Sequence, residues 1–152
     1  MSRPPRSGAR PDPRAALATD PWRYRTSLRD GPAERARVLA DVHALAERTG
    51  FADRAPDLVL AVDELIANAT RHGAPPVDVE AWSDGRLVIE VRDRGSGFRA
   101  EGALPSRPPD TTAHGGRGLW IVRQLADLVE VFTGPEGTRV RMELTPEPQI
   151  GA

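Results

Sequence analysis

Three short motifs in a fixed order constrain this chain more than any other feature. They are Glu64-Leu65-Ile66-Ala67-Asn68-Ala69, then Asp93-Arg94-Gly95-Ser96-Gly97-Phe98, then Gly115-Gly116-Arg117-Gly118-Leu119. The first supplies a carboxylate and an amide one helical turn apart. The second supplies an acid followed by glycines that let backbone approach a ligand. The third is a glycine cluster that opens an apolar helical pattern. Together they read as a nucleotide pocket.

The pattern around the motifs predicts the elements that carry them. Alternation from Trp22 to Leu28 suits a strand. Pro32 to Thr49 reads as a helix with Val38, Leu39, Val42 and Leu45 in one stripe, ended by Gly50. Ala55 to His72 reads as a second helix, with Leu58, Val62, Leu65, Ile66 and Ala69 on one side and Gly73 as its stop. Val77 to Trp82 and Leu87 to Arg92 read as strands joined at Asp84-Gly85. Gly118 to Asp127 reads as a third helix. Leu128 to Phe132 and Thr138 to Leu144 read as closing strands around Gly134-Pro135-Glu136-Gly137. Hairpin-linked strands with three helices predict an α+β fold: a two-layer α/β sandwich, its mixed sheet largely antiparallel, with about three helices on one face. One domain is expected over residues 21–146, after a disordered leader at 1–20 and before a loose tail at 147–152. Residues 99–114, with three Pro, Ser and two Thr, read as a long loop able to close over a ligand.

Composition removes several classes. All 21 basic residues are Arg, so the chain has no Lys. A Walker-type phosphate loop and a eukaryotic-type protein kinase both need one. A nucleotide here must be held by backbone N–H groups, a metal and Arg side chains. A net charge of −1 gives no reason to expect nucleic-acid binding. There is no Cys for a disulfide framework or a thiolate zinc site. No apolar run reaches the ~20 residues of a membrane span, and the basic start lacks the apolar segment of a secretory signal. The expectation is a soluble cytoplasmic protein.

Each motif has a plain reading beside a chemical one. Glu64, Asn68 and Arg71 fall opposite the Leu58/Val62/Ala69 stripe, either as a solvated polar face or as a metal and acid-base face. An Asn oxygen is a hard ligand suited to Mg²⁺, and a carboxylate nearby can take a proton from an attacking hydroxyl. Asp93 ends a Val/Ile strand, either in an ordinary turn or as the acceptor for an exocyclic amine such as that of adenine. Gly115, Gly116, Arg117 and Gly118 lead into a helix start, where free N–H groups attract anions. His43 reads as an ordinary helix residue rather than a phosphoacceptor. His72 sits where a helix end favours a polar or cationic cap, and His114 has no derivable role.

These motifs, in this order, resemble those of the gyrase, Hsp90, histidine-kinase and MutL (GHKL) type of ATPase, with its Bergerat-type ATP-binding fold. More closely, the chain is similar to the bacterial anti-sigma factors that are serine/threonine protein kinases. The resemblance spans about residues 22–144. It implies Glu64 as general base, Asn68 as ligand to Mg²⁺ shared with the ATP phosphates, and Asp93 as the adenine-binding acid. Thr138 matches a position that helps hold the base region, and residues 99–114 match the lid. The implied cofactor-binding set is Asn68, Arg71, Asp93, Gly95, Gly97, Gly115, Gly116, Arg117, Gly118, Leu119 and Thr138. The implied function is an ATP-dependent kinase that restrains a sigma factor and phosphorylates an anti-sigma-factor antagonist, as a homodimer. The other reading is an ATP-binding module that sequesters a protein partner without chemistry.

Overall fold

The computed structural model of the chain describes residues 23–29, 31–96 and 117–146. The leader, the expected loop at 99–114 with His114, the tail, and three glycines of the motifs (Gly97, Gly115 and Gly116) lie outside the described residues. In chain order the elements are β1 (Tyr24–Leu28), α1 (Pro32–Arg48), a 3₁₀ turn (Ala52–Arg54), α2 (Ala55–His72), β2 (Val77–Ser83), β3 (Leu87–Arg92), α3 (Arg117–Leu125), β4 (Leu128–Gly134) and β5 (Gly137–Leu144). The predicted order of helices and strands is the observed one.

The strands form one sheet in the order β1-β2-β3-β5-β4. All four pairings are antiparallel, so no parallel pair occurs among the described residues. The last strand therefore sits inside the sheet, between β3 and β4. Period-two alternation sends Val77, Val79 and Ala81 of β2, Leu87, Ile89 and Val91 of β3, and Val140, Met142 and Leu144 of β5 to one face. That face meets Val38 and Val42 of α1, Leu58, Val62, Leu65 and Ile66 of α2, and Val122 of α3 in a single apolar core. Burying each such Leu, Ile or Val contributes about 1.5–3 kcal/mol. Helix α2 is the middle helix, packed against α1, α3 and the sheet. The opposite sheet face is charged: Arg25 pairs with Glu80 at 3.1 Å and Arg141 with Glu90 at 3.8 Å.

Helix α3 stops at Leu125, two residues before its expected end at Asp127. Ala126 N–H closes the last turn on Val122 O, but Asp127 N–H turns to Glu143 O of β5. The Asp127 carboxylate accepts hydrogen bonds from Thr145 N (2.7 Å), Thr145 Oγ1 (3.1 Å) and Arg54 Nη1 (3.0 Å). Asp127 thus ties the helix end to the sheet instead of continuing the helix. Burial pushes its carboxyl up, but the bonds from Thr145 and Arg54 outweigh that and hold it below its ordinary value of 3.8. A group lowered by folding contributes stability that is present above its unfolded value and lost as pH falls through the folded one. Urea unfolding should therefore show Asp127→Asn less stable than wild type at neutral pH. The gap should close as pH falls below about 4; a gap of constant size down to acid would overturn this linkage.

Candidate functional site

The site lies at one end of the sandwich, where α2, the end of β3, the start of α3 and the start of β5 meet. Helix α2 places Glu64 and Asn68 on successive turns, both half-buried. The residue that covers them is Gly118 in the first turn of α3. A Cβ added there would lie 3.1 Å from Glu64 Oε2, 3.1 Å from Asn68 Nδ2 and 3.3 Å from Asn68 Oδ1. The carboxylate and the amide therefore converge on one point of α3 backbone. The polar side of α2 is not a solvated face over these residues but the seam between α2 and α3, and Gly118 is what lets α3 approach. Arg71, three residues beyond Asn68, is exposed.

Asp93 follows β3 and is 6% exposed. Its N–H donates to Thr138 O at 2.9 Å. Its Oδ1 accepts from Gly95 N at 2.8 Å and from Thr138 N at 3.3 Å. The other carboxylate oxygen accepts no hydrogen bond among the described residues. The acid is thus clamped by one oxygen, and the second is available to a donor such as an exocyclic amine. Thr138 is 7% exposed, and its hydroxyl pairs with that of Thr133 at 3.2 Å.

Two glycines that sequence reading took only as stop and turn signals prove to shape this site. Gly73, just after α2, sits so close to Asp93 that an added Cβ would lie 2.6 Å from Asp93 Oδ1 and 2.6 Å from Ala69 O. Gly137, with φ +131, would place a Cβ on the Asp93 carbonyl, 2.9 Å from its carbon. Gly95 in turn approaches Gly73, with 2.8 Å between its would-be Cβ and Gly73 Cα. The acid is held by a backbone clamp that side chains would block.

The remaining candidates are placed as follows. Arg117 opens α3. Leu119 is partly buried and packs on the apolar core, a packing position beside Gly118. His43 is exposed on α1 and pairs with Glu47 at 3.5 Å, an ordinary i,i+4 contact. His72 is the exposed last residue of α2, and the cap bond there comes from Gly73 N to Ala69 O at 3.0 Å rather than from the imidazole. No group of three or more His, Cys, Asp and Glu able to hold a metal occurs among the described residues. Asn68 and Glu64 fit a cation that takes most of its ligands from phosphate and water, which is how Mg²⁺ is usually held. They do not fit an all-protein cage.

A two-layer sandwich with an acid clamped at a central strand end and an amide and carboxylate on the adjoining helix defines a nucleotide-binding ATPase domain. The chain belongs to the histidine kinase-like ATPase domain family, whose model matches residues 28–144. Solved structures share the fold. The RsbU and RsbW domains of Rv1364c from Mycobacterium tuberculosis superpose with a TM-score of 0.58 at 20% identity, over 81% of this chain and 32% of that one. The histidine kinase domain of the Erythrobacter litoralis EL346 blue-light activated histidine kinase gives 0.52 at 22% identity, over 74% and 59%. The mycobacterial sensor histidine kinase MprB gives 0.51 at 18% identity, over 83% and 99%. This chain spans about a third of the first of these and about three fifths of the second. No curated protein matches it. No helix among the described residues is long and apolar enough to cross a membrane.

Proposed function

We propose that the protein is an ATP-dependent serine/threonine protein kinase that acts as an anti-sigma factor, with a small antagonist protein as its phosphoryl acceptor. The observation that carries this reading is the meeting of Glu64 Oε2 and the Asn68 amide against Gly118. A carboxylate is held beside a hard amide oxygen, where the base and the cation ligand of a phosphoryl-transfer site belong. In this reading the free oxygen of Asp93 accepts the adenine amine, and Thr138 steadies the acid. Asn68 holds Mg²⁺, which neutralises phosphate charge when bound. Gly115, Gly116 and Gly118 belong, on the motif resemblance, to the phosphate-binding set, and Arg71 and Arg117 add positive charge. Glu64 accepts the proton of the acceptor hydroxyl as its oxygen bonds to the γ-phosphorus and the bond to ADP breaks. The resemblance to anti-sigma kinases supports a sigma factor as the restrained partner, a homodimeric state and a cytoplasmic setting.

The test is incubation of the protein with labelled ATP, Mg²⁺ and candidate antagonist proteins. Label on an antagonist Ser or Thr is the expected result. Label on a histidine would move the protein to the other kinase class. Binding of ATP and a sigma factor with no transfer would make it a sequestering module.

Asp93→Asn tests the base-binding half separately. The amide keeps an oxygen for Gly95 N and Thr138 N but turns an NH₂ toward the ligand amine. Losing a hydrogen bond to a charged acceptor costs about 1.5–3 kcal/mol, so calorimetry should show ATP affinity falling about 10- to 100-fold. Unchanged affinity would remove the adenine role from Asp93.

A further inference from the structure

The charged face of the sheet carries a feature that the nucleotide reading leaves unused. Arg92 immediately precedes Asp93, and Arg139 immediately follows Thr138. Alternation therefore turns both arginines to the face opposite the core, behind the clamp. They are direct cross-strand partners in the β3–β5 register. Like charges placed opposite one another are destabilising unless something neutralises them. Nothing among the described residues does. Asp78, the register partner of Arg92 on β2, is engaged by Ser27 and by Arg94 at 3.7 Å. Glu136, at the tip of the β4–β5 hairpin, forms no ion pair among the described residues. The Arg139 guanidinium stacks on the Phe132 ring at 4.4 Å, and its Nε is buried without a hydrogen-bond acceptor. A buried donor left unpaired is costly, and native proteins rarely keep one without a reason. Arg92, Arg139, Phe132, Thr133 and Thr138 line a cavity of about 360 Å³ at this place, with the exposed Glu136 carboxylate at the hairpin tip the one acid among its lining residues, and its volume is within the usual size of a ligand site. Phe132 is 45% exposed at its rim.

We propose that this cavity is an oxyanion site, taking a carboxylate or phosphate group between Arg92 and Arg139, with the Phe132 ring fixing the Arg139 plane. A guanidinium held flat by an aromatic ring keeps its edge donors for a planar or tetrahedral anion. Arg92 and Arg139 stand on the sheet face opposite the nucleotide pocket; Thr138 borders both places, and the anion reading does not depend on that of the pocket.

The experiment is amide NMR of the full chain, titrated at low ionic strength with inorganic phosphate and, separately, with a hexaglutamate peptide. Saturable shifts centred on Arg92, Thr133 and Arg139 are expected from at least one probe. A response to phosphate alone assigns a small free anion. A response to the peptide assigns acidic side chains of a protein segment. Arg139→Gln should weaken binding about tenfold or more. Because Arg139 is half-buried, the exposed Arg92→Gln provides a second variant that keeps the fold, and it too should weaken binding. The proposal is overturned if neither probe saturates, if the shifts centre on Gly73, Gly95 and Gly118, or if both variants bind as wild type does. It is also overturned if the face proves to be closed by a second copy, seen as a concentration-dependent dimer that Arg139→Gln dissociates.

Discussion

On the proposed kinase reading, Glu64→Gln is expected to keep its fold, bind Mg-ATP and a sigma-type partner as wild type does, and transfer phosphate about 10²–10⁴-fold more slowly. That factor is the usual share of general acid-base catalysis. The geometry makes the variant clean. Glu64 is half-buried in the seam between α2 and α3, and Gly118 leaves room for its head and no more. Gln has nearly the same volume, so the seam stays packed, and only the proton acceptor is lost. Single-turnover transfer to the antagonist, with ATP affinity measured on the same sample, separates the two quantities. A transfer rate equal to wild type would remove Glu64 from the chemistry, while a parallel fall in ATP affinity would make it a binding residue instead.

Replacing Gly137 with Ala is expected to have the largest effect on stability of any single methyl added to this fold. The new Cβ would overlap the Asp93 carbonyl and crowd Arg94 Cα at 3.0 Å, all of it backbone that cannot swing aside. The residue also sits at φ +131, where an L side chain is strained. Overpacking typically costs about 1–3 kcal/mol and a strained backbone conformation a similar amount, giving about 2–6 kcal/mol together. Thermal unfolding should show a drop in Tm on the order of 10 °C. Gly85, also at positive φ but with nothing within 4 Å, is the control, because Gly85→Ala carries only the conformational part. Equal losses at the two positions would mean that the clamp on Asp93 is not tight.

The elements were legible in the sequence because each has a local cause. Pro32 and the Val38/Val42/Leu45 stripe make α1, and Ala55 to His72 is a helix to the residue as expected. Asp84-Gly85 sets the β2–β3 hairpin, and Gly85 takes the positive φ that such a loop needs. The three motifs were legible as a set, and Glu64, Asn68, Asp93, Gly95, Gly118 and Thr138 do come to one end of the fold. What a local reading missed depends on contacts between distant residues. Gly73 and Asp93 are 20 positions apart, and Gly137 and Asp93 are 44 apart. Nothing in the sequence near Gly73 or Gly137 distinguishes a glycine that stops a helix or makes a turn from one that presses on a buried acid. The glycine cluster points Gly118 toward phosphate, but its closest neighbours are the Glu64 and Asn68 side chains. The early end of α3 has the same origin: Asp127 is drawn out of the helix by Thr145 and Glu143, which lie beyond β4.

The strand order has a consequence for how the molecule comes into being. β5, the final strand of the fold, lies between β3 and β4, and it brings Thr138, which clamps Asp93 from the backbone. A nascent chain that has emerged only as far as β4 therefore has its helices and four of its strands but no closed sheet. The facing edges of β3 and β4 stand open to any other extended segment. The clamp on Asp93 is absent at that stage, however complete α2 has become. Neither the full sheet nor the clamp on Asp93 can be complete before β5 has emerged and taken its place between β3 and β4. A chaperone that shields the β3 edge until then would act at the point where this fold is most exposed to mispairing.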